Sequence, residues 1–188
     1  MTYQQLQQYF SQHRPEYNDD FNLRIHRALS WLEKAEQSDD LDSRFIFLWI
    51  CFNAGYAKDL ASILRSVDRN SFVEFINKIY YFDDQQKIYS SVWNTFSNSI
   101  RILLDNKFTF QEFWDFHNNL IDQKTWEQSF AQHKQKALRA LTEKDTSSLL
   151  VCIFSQLYTL RNQIIYGGAT YNIVKLLLIS YNNLKKDL

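Results

Sequence analysis

Chain breakers are nearly missing from this sequence. One proline and three glycines in 188 residues leave too few tight turns for an all-β protein, whose hairpins need such residues at fixed places. Long helices suit the count. Cysteine is almost as scarce: Cys51 and Cys152 both lie in apolar surroundings, with no C-x-x-C pair or Cys/His cluster that would hold zinc. They read as reduced core thiols. The longest apolar run, "FIFLWICF" at Phe45–Phe52, falls far short of the ~20 residues of a membrane-spanning helix. The opening "MTYQQLQQYFSQ" has neither the basic flank nor the apolar stretch of a secretory leader. A cytoplasmic, soluble protein with no membrane partner is the expectation.

Familiar sites are missing too. There is no G-x-x-x-x-G-K-[ST] or G-x-G-x-x-G loop to cradle a phosphate, no H-E-x-x-H, and no Glu-x-x-His pair of a di-iron bundle. His13, His26, His117 and His133 are scattered. Asp115 and His117 stand two apart, on different faces of any helix that holds them. No metal and no cofactor are expected.

What is present is bulk. Hydrophobic residues make up 45% and aromatics 16%, which argues against disorder. The length supports one domain, residues 1–188, with a real core. The many aromatic rings could serve as base-stacking platforms, but most fall on apolar stripes, so core packing is the better reading. Charge sums to zero unevenly. Residues 1–123 hold 12 basic and 17 acidic side chains, a net −5; residues 124–188 hold 9 and 4, a net +5. A basic C-terminal third is compatible with a phosphate-bearing partner, although blocks of this size also arise as solvated faces.

The apolar periodicity is helical from end to end. Phe21, Ile25, Leu29 and Leu32 share one face, with Asp19 and Asp20 as N-cap candidates. A helix starting near Asp42–Ser43 runs through "FIFLWICFNAGYA" towards Leu60, Ile63 and Leu64; its first turns are apolar all round, as in a central helix. Within it Asn53 needs a hydrogen-bond partner or faces a site, and Gly55 would let another helix approach. "NSFVEFINKIYYF" reads as a short helix capped by Asn70 or Ser71. "DDQQKIYSSVWNTFSNSIRILLDN" reads as one long helix burying Ile88, Val92, Phe96, Ile100, Leu103 and Leu104. A capping box from Thr109 to Glu112 opens another. Next comes one with Trp126, Phe130, Ala137 and Leu141 inward and a basic outer face. Leu149, Leu150, Ile153, Leu157, Leu160 and Ile164 form a continuous stripe, and "NIVKLLLISYNNLKKDL" closes the chain. The sum is an all-α, single-domain bundle of about seven or eight helices.

One stretch carries more than packing. "LRNQIIYGGATYN", Leu160–Asn172, sets Arg161 and Asn162 on the flank of the apolar stripe and Tyr166 just before two of the three glycines. Gly167 supplies the positive φ that a helix wants past its last turn, and Gly168 loosens the turn. Capping can explain both. The planar fork of Arg161 suits a phosphate, and a residue at the frayed helix end can swing back towards it.

"RNQIIYGGATYN" resembles the signature of HEPN-domain proteins, in which Arg-x4-His stands near the end of a long helix, often followed by Gly-Gly. "FIFLWICFNAGYA" is similar to the early core helix of one bacterial branch. The resemblance implies a helical bundle that forms a homodimer and joins two copies of the motif. It also implies a metal-independent endoribonuclease of toxin–antitoxin or antiviral defence systems, with RNA and a possible antitoxin protein as partners. By position Arg161 matches the motif arginine, which steadies charge at the phosphate, and Tyr166 stands where the proton-handling histidine is expected. Asn162, Gly167 and Asn53 become RNA-binding candidates. A free histidine titrates near 6.5 and a free tyrosine near 10; losing a proton-transfer group costs ~10²–10⁴-fold in rate. This chain is therefore expected to be inactive or attenuated. Natural degeneracy, a tyrosine introduced to tame a toxic enzyme, or a substitute such as His133 would each account for the change. A non-catalytic helical module binding RNA, nucleotide or an antitoxin is the alternative, and a bundle with no ligand the plainest. The short link from "GGAT" to "IVKLLL" also departs from the family pattern and leaves the register of the last helix open.

Overall fold

The structure, a computed structural model, describes residues 2–56, 69–175 and 177. It is all-α, with no strand among the described residues. These fall into two compact units. The first holds the residues up to Phe72 together with Tyr171–Lys175, and the second the rest.

In the first unit, α1 spans Tyr3–His13. Thr2 caps it through a reciprocal box with Gln5: each side chain accepts from the other residue's backbone N–H. A 3₁₀ turn over Arg14–Glu16 follows. Helix α2, Asp19–Glu36, is capped by Asn18, whose Oδ1 accepts the Phe21 N–H at 2.8 Å. Asp19 and Asp20 are therefore not the cap; they sit in the first turn, where their charge favours the positive helix end. The expected apolar face holds, with Leu29 buried and Phe21, Ile25 and Leu32 half-buried.

Helix α3, Leu41–Tyr56, packs against α2, with Trp31 and Phe47 ring centroids 5.8 Å apart. Trp49 is buried, but Phe45, Ile46, Phe47, Ile50 and Phe52 are half-buried and Leu48 is 43% exposed. The helix is less enclosed than an all-round apolar surface suggests. Among the described residues no heavy atom comes within 4 Å of where a Cβ on Gly55 would stand, so none of the described helices makes a close approach there. Leu60, Ile63 and Leu64 lie outside the described residues, as does the chain from 178 on. Residues 173–175 form a helical turn.

Helix α4, Arg69–Tyr81, includes Asn70 and Ser71 within its helical residues, so neither stands before it as a cap. The long helix expected next is broken. Asp83 gathers the N–H groups of Lys87, Ile88 and Tyr89 to start the short α5, Lys87–Ser90. A π turn over Ser91–Thr95 follows, and α6 runs Ser97–Asp105. The wider turn shifts the register of the apolar face. Val92, Ile100 and Leu104 stay buried while Phe96, expected inside, is 54% exposed. The Trp93 indole N–H donates to the Thr146 hydroxyl at 2.9 Å.

The Thr109–Glu112 capping box does not form. Thr109 is buried in a 3₁₀ turn, Lys107–Thr109, and donates its hydroxyl to the Asn106 carbonyl at 2.9 Å. Helix α7, Gln111–His117, starts without a side-chain cap. Helix α8, Gln123–Glu143, is capped by Asp122 and ends at Lys144 with φ +54°. Asp145 at once caps α9, Thr146–Ile165. Two residues thus reverse the chain, and Ala137 and Ala140 of α8 are buried where α8 packs on α9. The stripe on α9 is as expected, except that Leu157 and Ile164 are half-buried. Its core also admits Gln156, 1% exposed, whose Nε2 reaches the Leu104 carbonyl at 3.4 Å.

Candidate functional site

The end of α9 carries the Arg161 segment. An α-helical side chain leans towards the N-terminus, so Arg161 reaches back over the preceding turn, and its guanidinium carbon lies 5.9 Å from the Tyr158 ring centroid. Its Nη1 donates to Asn162 Oδ1 at 2.8 Å. Between a ring on one side and an amide on the other, the guanidinium is oriented. Its Nε is buried and has no hydrogen-bond partner among the described residues. Neither ion pair found there involves it: Lys134 pairs with Asp105, and Arg139 with Glu143. A guanidinium held in place yet with donors unspent is suited to an anionic oxygen.

Tyr166 ends the helix. Its backbone N–H closes the last turn on the Asn162 carbonyl at 2.9 Å, while its ring is 79% exposed. The phenol makes no hydrogen bond to Asn162 or Arg161 among the described contacts; the Asn162 oxygen belongs to Arg161 instead. Gly167 has φ +74° and open space where a Cβ would be. Its N–H bonds to the Ile164 carbonyl at 3.4 Å, and Ala169 N–H to the Gln163 carbonyl at 2.9 Å. The chain thus turns off the helix in a Schellman-like manner. At Gly168 the Gln163 side-chain amide fills the space a Cβ would take, so Gly168 accommodates that side chain as well as easing the turn.

Arg161, Asn162, Tyr166 and Gly167 are therefore together at one helix end in the second unit. Asn53 belongs to the first unit, on α3, where it is half-buried rather than sealed. Tyr158, which sequence reasoning passed over, is 50% exposed and supports Arg161. Its signal was its place one turn before the arginine and off the apolar stripe.

The histidines have other company. His133 lies half-buried against Phe110, ring centroids 5.2 Å apart. Burial, and then the Lys136 charge, push its pKa below the usual histidine value. His117 packs on Phe113 and His13 on Tyr9. Among the described residues no three His, Cys, Asp or Glu side chains gather to hold a metal, and no helix is long and apolar enough to cross a membrane. Cys51 and Cys152 are free thiols, each pushed up in pKa by burial. No known protein family, curated protein or solved structure matches the chain.

Proposed function

We propose that this chain is an RNA-directed, HEPN-type endoribonuclease scaffold of a toxin or antiviral defence system. Its metal-independent cutting is lost or attenuated because Tyr166 stands at the histidine position. The observation that carries this reading is the Arg161 guanidinium, oriented by Asn162 and Tyr158 and paired with no carboxylate among the described residues. In such a reaction a ribose 2′-hydroxyl attacks the adjacent phosphate, the 5′-oxygen leaves, and charge builds on the phosphate oxygens. Arg161 would bind those oxygens. An exposed phenol can donate one hydrogen bond to them but is a weak proton acceptor near neutrality.

Electrostatics favours a homodimer for this task. A helix C-terminus carries about half an elementary negative charge, so a lone Arg161 at the end of α9 meets a phosphate with part of its own charge offset. Two copies sharing one cleft would supply a second guanidinium. The test is Tyr166→His, assayed for RNA cleavage in EDTA and for toxicity on induction, with and without Arg161→Ala. Cutting or toxicity that appears with histidine and vanishes without Arg161 is expected; no gain with histidine would sink the nuclease scaffold.

A second reading is favoured by Tyr166 itself. With an exposed ring and no proton-transfer partner beside it among the described residues, the same helix end would serve a non-catalytic module that binds RNA, nucleotide or an antitoxin. It predicts affinity that Arg161→Ala weakens and cleavage in neither version.

A further inference from the structure

A buried polar atom without a hydrogen bond costs free energy that apolar packing does not return. Gln156 carries one. The residue is 1% exposed, and its Nε2 donates to the Leu104 carbonyl at 3.4 Å. Its Oε1 is sealed from solvent and has no donor among the described residues. His133 carries another: its Nε2 is equally sealed and equally unpartnered there.

The two orphans belong to one place. The reversal at Lys144 and Asp145 lays α8 against α9, so residues equally far from it stand at the same level of the helix pair. His133 lies as far before Lys144 as Gln156 lies after Asp145. Lys136 agrees with that register. Its charge is felt by His133, one turn before it on α8, and by Cys152, one turn before Gln156 on α9. The end of α6 comes in from a third side. Leu104, which accepts from Gln156, is in its last turn. The His133 ring packs on Phe110, with centroids 5.2 Å apart, and the preceding Thr109 donates to the Asn106 carbonyl just past α6 at 2.9 Å. The last carbonyls of a helix have no partner within it. The spot is therefore rich in acceptors and short of donors, and an imidazole with its proton on Nε2 is a donor.

We propose that a single buried water joins His133 to Gln156. It accepts from the His133 Nε2–H and donates to Gln156 Oε1, and its second hydrogen turns to the carbonyls at the end of α6. Buried waters typically make about three such bonds to groups that protein partners leave unmet. Two lone atoms on neutral side chains call for nothing larger or charged. His133 is thereby a fixture of the core, with Nε2 committed inward, and does not stand in for a proton-handling histidine beside Arg161. Nothing in this arrangement depends on the RNA reading.

The first test is NMR of the wild-type protein with nitrogen-15-labelled histidine at about pH 8, where an imidazole is neutral. His133 should be the Nε2–H tautomer, and that proton should show a dipolar contact, as distinct from exchange, to a long-lived water. The Nδ1–H tautomer, or an Nε2–H with no water contact, overturns the proposal. The second test is a cycle of His133→Phe and Gln156→Met, read by urea denaturation at the same pH. Each change should raise the unfolding constant about tenfold. The double variant should fall well short of the roughly hundredfold product, because one water serves both side chains. The Leu104 bond is lost in both backgrounds and cancels. A full product overturns the link. If Gln156→Met does not fold, the wild-type spectrum decides alone.

Discussion

The carboxylate of Asp42 accepts the backbone N–H of Asn172 at 2.7 Å, across 130 residues of chain. Its other oxygen takes the N–H of Val174 at 2.9 Å. Asp42 is 6% exposed, and it caps from α3 the helical turn at 173–175. Beside it Asp40 bonds the Tyr171 hydroxyl, which pushes that phenol's pKa up. Asp42→Ala would leave two N–H groups without acceptors. A loss of about 2–3 kcal/mol is expected from hydrogen bonds to a charged group, read by urea denaturation. Faster amide exchange at Asn172 and Val174 would locate the effect; unchanged exchange there would refute the capping role.

Gly167 has a positive φ, and no described heavy atom comes within 4 Å of where its Cβ would stand. A Gly167→Ala change therefore meets backbone strain and no clash. About 1–2 kcal/mol should be lost, seen as a lower Tm, and Gly167→Asn should recover part of it because asparagine tolerates the left-handed region. Equal Tm for all three proteins would show that the turn relaxes freely.

The Trp93–Thr146 hydrogen bond joins the π turn to the first turn of α9. Thr146 is 1% exposed, so Thr146→Val should strand the indole N–H at a cost of about 1–3 kcal/mol. In the Trp93→Phe background the same change should cost less. A double-mutant cycle measures that difference directly, and strict additivity would mean the two groups do not interact.

Histidine 133 sets an acid limit. Its folded pKa lies below the unfolded value near 6.5 because burial and Lys136 oppose the imidazolium. The unfolded chain then binds the extra proton, so this contribution is complete above the unfolded value and is lost as pH falls towards the folded one. Urea midpoints of wild type should drop between about pH 7.5 and about pH 5.5 more steeply than those of His133→Phe. Parallel slopes would exclude His133 as the source.

Local signals in the sequence were readable and distant ones were not. The faces of α2 and α9 followed from spacing, as did the glycine that ends α9. Thr2 and Gln5 form a capping box whose Thr-x-x-Gln pattern is visible in the sequence itself. The break at Ser91–Thr95 has no proline or glycine to announce it, and the hydroxyl that Trp93 meets within it belongs to a helix more than fifty residues on. Thr109 looked like a cap because Thr-x-x-Glu fits, whereas its hydroxyl is drawn to the carbonyl end of α6. Asp42 is a cap for a segment no local window could contain. At the candidate site, Arg161, Asn162 and Gly167 were legible from the motif, whereas the part of Tyr158 lies in its exposure and its place under the guanidinium, which no motif encodes.

Lys144 and Asp145, the two residues between α8 and α9, have a bearing on how the molecule comes to be folded. Closing so short a loop sacrifices little chain entropy, and contacts between neighbours in sequence form quickly. The paired helices can assemble early and act as a template onto which later-closing parts condense. Arg161 lies near the end of α9 away from that loop, so a helix pair that formed first would carry it at its far tip.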